Sequence, residues 1–216
     1  VGSEMCIRDR FKLCYYYFMR EFIYQDELIK KVNSKKRVVE RFLGFTDRPA
    51  PKVIQKKIDK EMENVPELLH VFYNYKIVGD EINMIYSVGP KFEERIDLLV
   101  EDGQAMNAMI VDKIGVICLD VIRSLIVKEV KAKYKKTPYK YFYPGGKDYG
   151  IDLQADIHQM METGYIKIND YHQLYPVKSV ALRAKLRDAD ADDMEKEGSP
   201  CDACDFKCEM RGAMDE

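Results

Sequence analysis

Three cysteines near the carboxyl end of the chain are the residues whose spacing most directly suggests chemistry. Cys201, Cys204 and Cys208 form the pattern C-x2-C-x3-C. Thiolates this close can fold around one metal ion, and in a reducing compartment the spacing favours metal over a disulfide. A closed zinc site needs one ligand more, which would be Cys118, an Asp, another chain, or an exchangeable ligand on an iron–sulfur cluster. The pattern therefore predicts a zinc or cluster site, with redox-active or simply reduced tail cysteines as the alternative.

The elements that would position such groups follow from apolar periodicity and turn residues. Residues 70–78 and 82–87 predict two strands around a Gly79-Asp80 turn, because they are rich in β-branched and aromatic side chains. A long helix is predicted from Gln104, and it is apolar over much of its circumference. Gly115 in its middle costs about 1 kcal/mol against Ala, so we expect a close-packed neighbour there.

Other segments give weaker element predictions, which together indicate the fold class. They are a short helix capped by Ser34 and closing at Gly44, an amphipathic helix over 51–69 with Val53, Ile54, Ile58 and Met62 on one side, helices over 92–100 and 151–162, a loop at Pro144-Gly145-Gly146, and strands over 165–170 and 177–186. Helices mixed with separated strands, without a regular βαβ repeat, predict an α+β domain.

Composition and charge limit the classes of partner. The chain is 46% hydrophobic and 33% charged with a net charge of −2, which is typical of a globular domain. This charge gives no case for nucleic acid, and the basic run from Lys128 to Lys140 is predicted to be a solvated helix end. Charged residues interrupt the most apolar stretch, 105–127, so no membrane partner is expected. We therefore expect a cytoplasmic protein.

The first ten residues, VGSEMCIRDR, fit no helix, strand or signal-peptide pattern. They are what a transposon-type sequencing adapter gives when it is translated in frame. Residues 11–18 are then expected to be read-through, with a genuine apolar strand as the alternative, and Met19 is the first plausible start. After it we expect one domain over 19–185, an acidic linker over 186–199 and a cysteine-rich tail over 200–216.

The segments YFYPGGKDYGIDLQADIHQMM and GYIKINDYHQLYPVKSVALRAKL carry the most informative pattern. It resembles the activation domain of cobalamin-dependent methionine synthase, of the short stand-alone type. That family has a loop like R-x-x-P-G-Y-G-D-W, then a helix with a Gln, a strand and a Tyr-x-x-x-Pro-x-Lys-Ser-Val turn. Upstream, RVVERFLGF is similar to the family's R-x-L-G-Y opening. The matching positions are Asp112, Gly115, Pro144, Gly145, Asp148, Gln154, Pro176, Lys178, Ser179 and Val180, with Tyr149 in place of Trp and Tyr171 shifted by one.

The resemblance implies both a fold and an activity. The fold is a single α+β domain with a twisted antiparallel sheet packed by long helices. The activity is to bind S-adenosylmethionine and to offer its methyl group to an oxidised cobalamin on a partner, a corrinoid-binding or methionine synthase protein, while a reductant supplies an electron. The ligand contacts that it implies are Tyr141, Pro144, Gly145, Gly146, Asp148 and Tyr149.

Two positions depart from the family pattern. Tyr141 stands where the family has an Arg that holds the amino-acid end of the ligand, and Gly146 stands in place of a Tyr. Lys140 or Lys147 would then substitute as a point charge, with less geometric control than a guanidinium. Tyr149 would stack in place of the lost Tyr.

These departures leave three interpretations open. The first is a reactivation or accessory protein for a cobalamin-dependent methionine synthase or related corrinoid methyltransferase, in which this chain is at most an accessory part of the methyl-transfer enzyme. The second is a non-enzymatic metal or iron–sulfur adaptor that kept the fold and lost the ligand. The third is an unrelated α+β domain.

Overall fold

The computed structural model describes Phe22, residues 24–161 and residues 163–190. The predictions for residues 1–18 and for the cysteine tail lie outside this part of the chain. The helices are α1 (Gln25–Ser34), α2 (Lys36–Phe42), α3 (Lys52–Glu63), α4 (Val65–Leu68), α5 (Lys91–Glu101), α6 (Ala105–Tyr134) and α7 (Leu153–Met161). The strands are β1 (Phe72–Val78), β2 (Glu81–Ser87), β3 (Lys136–Phe142), β4 (Lys167–Ile168), β5 (Leu174–Tyr175) and β6 (Ser179–Asp188).

Four strands form the main sheet in the order β1-β2-β6-β3, and every neighbouring pair is antiparallel. β1 and β2 are a hairpin, and Gly79 in its turn has φ +62°, a conformation that glycine adopts without steric cost. β6 lies between β2 and β3. A separate ribbon pairs β4 with β5.

The two faces of the sheet bury different cores. One face packs on α6 and contributes side chains such as Tyr75, Met84 and Leu182 to the larger cluster. The other face packs on α7, where Phe72 and Ile85 join a smaller cluster. Successive side chains along a strand point to opposite faces of the sheet. Consecutive residues of β3, and likewise of β6, therefore lie on opposite sides of the sheet.

α6 is the centre of the larger core. Its sixteen buried residues lie around most of its circumference, which agrees with the predicted apolar pattern. α1, α2, α3 and α5 all pack against it. None of the described helices, α6 included, has the length and apolar character needed to cross a membrane.

The structure confirms the α+β class, the antiparallel sheet and the packing by helices. The hairpin and the helices predicted over 92–100 and from Gln104 also appear. The helix predicted over 151–162 is α7, and the two late strands are confirmed with different bounds. The boundary predicted at residue 185 falls inside β6, which continues to Asp188.

Other local predictions are wrong. Ser34 does not cap α2: it is the last residue of α1, and its hydroxyl donates to the carbonyl of Lys31 at 2.7 Å. The helix predicted over 51–69 is two helices, because α3 ends at Glu63 and Pro66 lies in the next helix. Ile58 is buried as predicted, but Val53 is 68% exposed.

The basic run from Lys128 to Lys140 is only partly a helix end. α6 ends at Tyr134, and Lys135 has a left-handed conformation with φ 56°. The following residues are β3, an edge strand of the sheet. Pro138 lies in β3, where its missing N–H is tolerated because an edge strand bonds on one side only.

Candidate functional site

The loop after β3 is shaped by a tight turn at Pro144-Gly145. The amide of Gly146 donates to the carbonyl of Tyr143 at 3.0 Å, which closes a four-residue turn. Proline at the second position and a glycine with φ +76° at the third are the features of a type II turn. A Cβ on Gly146 would lie 2.9 Å from the carbonyl oxygen of Tyr143. Glycine is therefore favoured at position 145 by the backbone conformation and at position 146 by the close approach of the Tyr143 carbonyl.

Tyr141 lies on the face of the sheet that packs on α6, and it is buried. Arg123 of α6 donates through Nη1 to the Tyr141 hydroxyl at 3.3 Å, and its guanidinium carbon lies 5.2 Å from the ring centroid. Nη2 of Arg123 donates to Asp120 at 2.9 Å. The position at which the resemblance expects an Arg is therefore a buried Tyr here, with a guanidinium supplied from the neighbouring helix.

Burial alone would lower the pKa of the Arg123 guanidinium, but the neighbouring oxygens of Tyr141 and Asp120 raise it above the ordinary value. Arg123 therefore stays charged inside the core. Tyr86 lies close by, and burial raises the pKa of its hydroxyl well above the ordinary value. Arg123, Tyr141 and Asp120 thus form a hydrogen-bonded cluster under β3.

Tyr149 lies on the opposite face of the sheet. Its ring meets Phe142 edge to face, with centroids 5.2 Å apart and the planes at 73°. The guanidinium carbon of Arg183 lies 5.5 Å from the centroid of the Tyr149 ring. Nε of Arg183 donates to Oδ1 of Asn83 at 2.8 Å. Asn83, Arg183 and Phe142 are opposite one another in neighbouring strands, so they form one row across the sheet.

The residues at the tip of the loop are exposed. Gly145, Gly146, Lys147 and Asp148 all face solvent. Nζ of Lys140 lies 3.7 Å from a carboxylate oxygen of Asp148, and both side chains are more than half exposed, at 57% and 52%. Neither Lys140 nor Lys147 is held in one place by burial.

The structure thus divides the six predicted ligand contacts into three groups. Pro144, Gly145, Gly146 and Asp148 lie together at the tip, while Tyr141 and Tyr149 lie on opposite faces of the sheet. Sequence reasoning missed Arg123, Asn83 and Arg183. A single arginine between apolar residues in VALRAKL was the available signal for Arg183.

Asp112, Gly115 and Lys178 meet where α6 approaches the start of β6. All three are among the positions on which the resemblance rests. We call this group the lysine crossing. Nζ of Lys178 lies 2.6 Å from Oδ1 of Asp112. A Cβ on Gly115 would lie 2.5 Å from Cδ of Lys178 and 3.3 Å from the Phe92 ring. The close-packed neighbour expected beside Gly115 is therefore the stem of Lys178.

Backbone contacts extend the lysine crossing to α5. The amide of Lys178 donates to the carboxylate of Glu93 at 2.7 Å, and its carbonyl accepts from the hydroxyl of Ser87 at 3.0 Å. Burial raises the pKa of Glu93, against the backbone bonds from Lys178 and Val177. Burial also acts to raise the pKa of Asp112, but its bonds to Lys178 and Lys113 outweigh this and lower it. These bonds fix the start of β6.

α7 is tied to the ribbon of β4 and β5. The side-chain amide of Gln154, a matching position, donates to the carbonyl of His172. Nε2 of His158 lies 2.7 Å from the carbonyl of Ile166, to which it donates. His158 is thus a half-buried structural histidine that bonds the chain's own backbone.

Cys201, Cys204 and Cys208 lie outside the described residues. Cys118 is fully buried in the core on α6, and burial raises the pKa of its thiol. A tail ligand could reach it only through an opened core, so Cys118 does not fit as the fourth ligand. Within residues 24–161 and 163–190, no group of three His, Cys, Asp or Glu side chains is placed to hold a metal ion.

Comparison with known proteins gives a structural likeness. No protein-family model matches the chain, and no curated protein matches its sequence. The fold is similar to that of the crystal structure of the MetH reactivation domain bound to AdoHcy, with a TM-score of 0.50 and 11% sequence identity. The similarity covers 62% of this chain and 64% of that chain, which is less than two thirds of its length. The likeness supports the fold expected from the sequence pattern.

Proposed function

We propose that this chain binds S-adenosylmethionine or a close analogue at the loop between Tyr141 and Tyr149. It would serve as a stand-alone reactivation or accessory protein for a cobalamin-dependent methionine synthase or a related corrinoid methyltransferase. The observation that carries the proposal is the fold shared with a reactivation domain bound to AdoHcy. The loop is chosen as the location because it carries the residues that resemble the family's ligand loop, and in this chain it follows the edge strand β3.

The geometry of the loop is consistent with this role. The Pro144-Gly145 turn exposes backbone at its tip, and a glycine-lined backbone can approach a ligand closely. Tyr149 offers an aromatic ring beside a guanidinium, a combination that suits a flat base or a charged group. In this proposal the chain's own residues bind and orient the methyl donor. Cobalamin, the methyl acceptor, belongs to the partner protein.

Calorimetric titration tests the proposal. S-Adenosylhomocysteine and S-adenosylmethionine are titrated into the chain, and we expect saturable one-to-one binding in the micromolar range, about −8 kcal/mol. Gly145→Val should abolish it, because Gly145 has φ +76° and valine rarely adopts that conformation.

Gly164→Val is the matched control. Gly164 has open space around it and lies away from the loop, so binding should remain. Absence of heat for both ligands with a folded protein contradicts the proposal. Binding that survives Gly145→Val contradicts its location in the loop.

The cysteine motif supports a second candidate function, a metal or iron–sulfur adaptor. Its support is the spacing of Cys201, Cys204 and Cys208 together with the burial of Tyr141 at the expected Arg position. Anaerobic purification followed by zinc, iron and sulfide analysis tests it. We expect metal in stoichiometric amount that a triple Cys→Ser variant loses, and a metal-free protein contradicts this candidate.

A further inference from the structure

We propose that Arg183 is the residue that grips the carboxylate of the ligand's amino-acid end, in place of an Arg at position 141. This inference rests on the proposed function, because it concerns the same loop. It names a specificity-determining residue on β6, which the sequence pattern does not mark.

The other positively charged side chains near the loop are poorly suited to this contact. Nη1 and Nη2 of Arg123 already donate to Tyr141 and Asp120, and its side chain is only 3% exposed. Lys140 lies near Asp148 and is 57% exposed, so it is a point charge largely in solvent. Lys147 is exposed at the tip. None of these offers a positioned guanidinium fork to a ligand.

Arg183 does offer one. Its side chain is 18% exposed, so it is largely packed against its neighbours but still reaches solvent. Its described polar contacts are through Nε, to Asn83 at 2.8 Å and to Glu81 at 3.7 Å. No acceptor within the described residues bonds Nη1 or Nη2. The two nitrogens that bind a carboxylate in bidentate fashion are therefore available.

Asn83 explains why this fork is held in place. Asn83 is only 1% exposed, and a buried amide is costly unless it is hydrogen-bonded. Its carbonyl oxygen accepts from Nε of Arg183, which fixes the guanidinium against the sheet. Tyr149 lies over the guanidinium with 5.5 Å between the ring centroid and the central carbon. Asn83 is thus a positioning residue, and Tyr149 connects Arg183 to the loop.

The test uses two ligands that share the adenosine and the thioether sulfur and differ in the amino-acid chain that carries the carboxylate. S-Adenosylhomocysteine carries the amino-acid end, whereas 5′-methylthioadenosine keeps the adenosine and the thioether and lacks the carboxylate. Calorimetric titration measures the affinity of each ligand for the wild type, for Arg183→Lys and for Arg183→Met. We expect Arg183→Lys to weaken S-adenosylhomocysteine by about ten- to hundredfold and to leave methylthioadenosine within about twofold.

Lys76→Met is the matched control. Lys76 lies opposite Asn83 in the same row of the sheet, but on the far edge strand, and it is exposed. It should leave both affinities unchanged, which separates a specific fork from general positive charge. Circular dichroism checks that each variant is folded, and the ratio of the two affinities is insensitive to a uniform loss of folded protein.

The remaining outcomes distinguish a failure of the proposed function from a failure of the role proposed for Arg183. If wild type binds neither ligand, the proposed function fails and the inference fails with it. If wild type binds S-adenosylhomocysteine but Arg183→Lys weakens both ligands equally or neither, the inference alone is overturned. If Lys140→Met instead weakens the binding of S-adenosylhomocysteine and not that of methylthioadenosine, Lys140 on β3 binds the carboxylate and the assignment to Arg183 is overturned.

Discussion

The lysine crossing and the loop after β3 both carry residues on which the resemblance to an activation domain rests, but packing constrains them unequally. At the crossing, Gly115, Asp112 and Lys178 are fixed by contacts between α6 and β6. In the loop, the glycines are fixed by backbone conformation, and the tip faces solvent. The sequence departs from that pattern at Tyr141, which is buried against α6, and at Gly146, which lies at the exposed tip of the loop. Likeness of fold therefore says less about the ligand than about the architecture.

Gly115→Val should produce the largest loss of stability. A Cβ alone would lie 2.5 Å from Cδ of Lys178, so valine must displace that side chain and press on Phe92. We expect the free energy of unfolding to fall by about 2–3 kcal/mol, as for an overpacked core. Urea denaturation measures it.

A double-mutant cycle sharpens this result. Adding Lys178→Ala to Gly115→Val should restore part of the loss, because the displaced stem is then absent. Gly164→Val, with open space around it, is the control for replacing a glycine. Equal stability of Gly115→Val and wild type would show that packing at the crossing does not require glycine.

Gly145→Ala also replaces a glycine, but here the expected loss of stability comes from backbone conformation and not from a steric clash. The nearest atom to a Cβ there is Cδ1 of Ile151 at 4.0 Å, so there is no clash, but φ is +76°. We expect a loss of about 1–2 kcal/mol from the left-handed conformation alone, measured by urea denaturation. A Gly145→Asn variant should lose less, since Asn tolerates that conformation better. If Asn and Ala lose equally, backbone conformation is not the constraint.

Lys178→Met tests the ion pair at the crossing through its pH dependence. The folded-state pKa of Asp112 lies below its ordinary value, so the stabilisation is present above about pH 4 and is lost as pH falls through the lowered pKa. Because Asp112 is 39% exposed, we expect only about 0.5–1 kcal/mol at neutral pH. The difference from wild type should shrink as the pH falls below about 4. A difference that stays constant over this range would exclude the carboxylate as its source.

Lys140→Met should have the smallest effect. Its Nζ lies 3.7 Å from Asp148, and both groups are largely in solvent. We expect a change within about 0.5 kcal/mol, which becomes smaller still at high ionic strength because salt screens an exposed pair. Thermal unfolding at low and high ionic strength measures it. A larger, salt-dependent loss would mean that this pair holds the loop tip in place.

How much could be predicted from the sequence depends on how local the determining interactions are. The β1–β2 hairpin and α6 follow from turn residues and apolar content, and both were predicted. β3 was missed because its lysines and Pro138 resemble a solvated segment, and only pairing with β6 makes it a strand. α1 was not predicted, so Ser34 at its end was misinterpreted as a cap for the next helix.

The candidate site was less predictable for the same reason. The Pro144-Gly145 turn is local and was predicted as a loop. Whether Tyr141 and Tyr149 share a surface depends on which face of the sheet each one occupies, and the structure places them on opposite faces. Arg183 meets Tyr149 only because β6 pairs with β3 in one register, which no spacing within a single segment could reveal.

The position of β6 in the sheet also governs the order in which the molecule can fold. β6 is the last strand in sequence among the described residues, yet it lies between β2 and β3. During synthesis the two strands of the β1–β2 hairpin emerge one after the other, whereas β6, with which β3 pairs in the described part of the chain, emerges well after β3. Pairing over such long sequence separations is intrinsically slow, because the intervening chain must be closed into a loop first. The strand that leads into the candidate loop is therefore committed to its place only when the rest of the domain has been made.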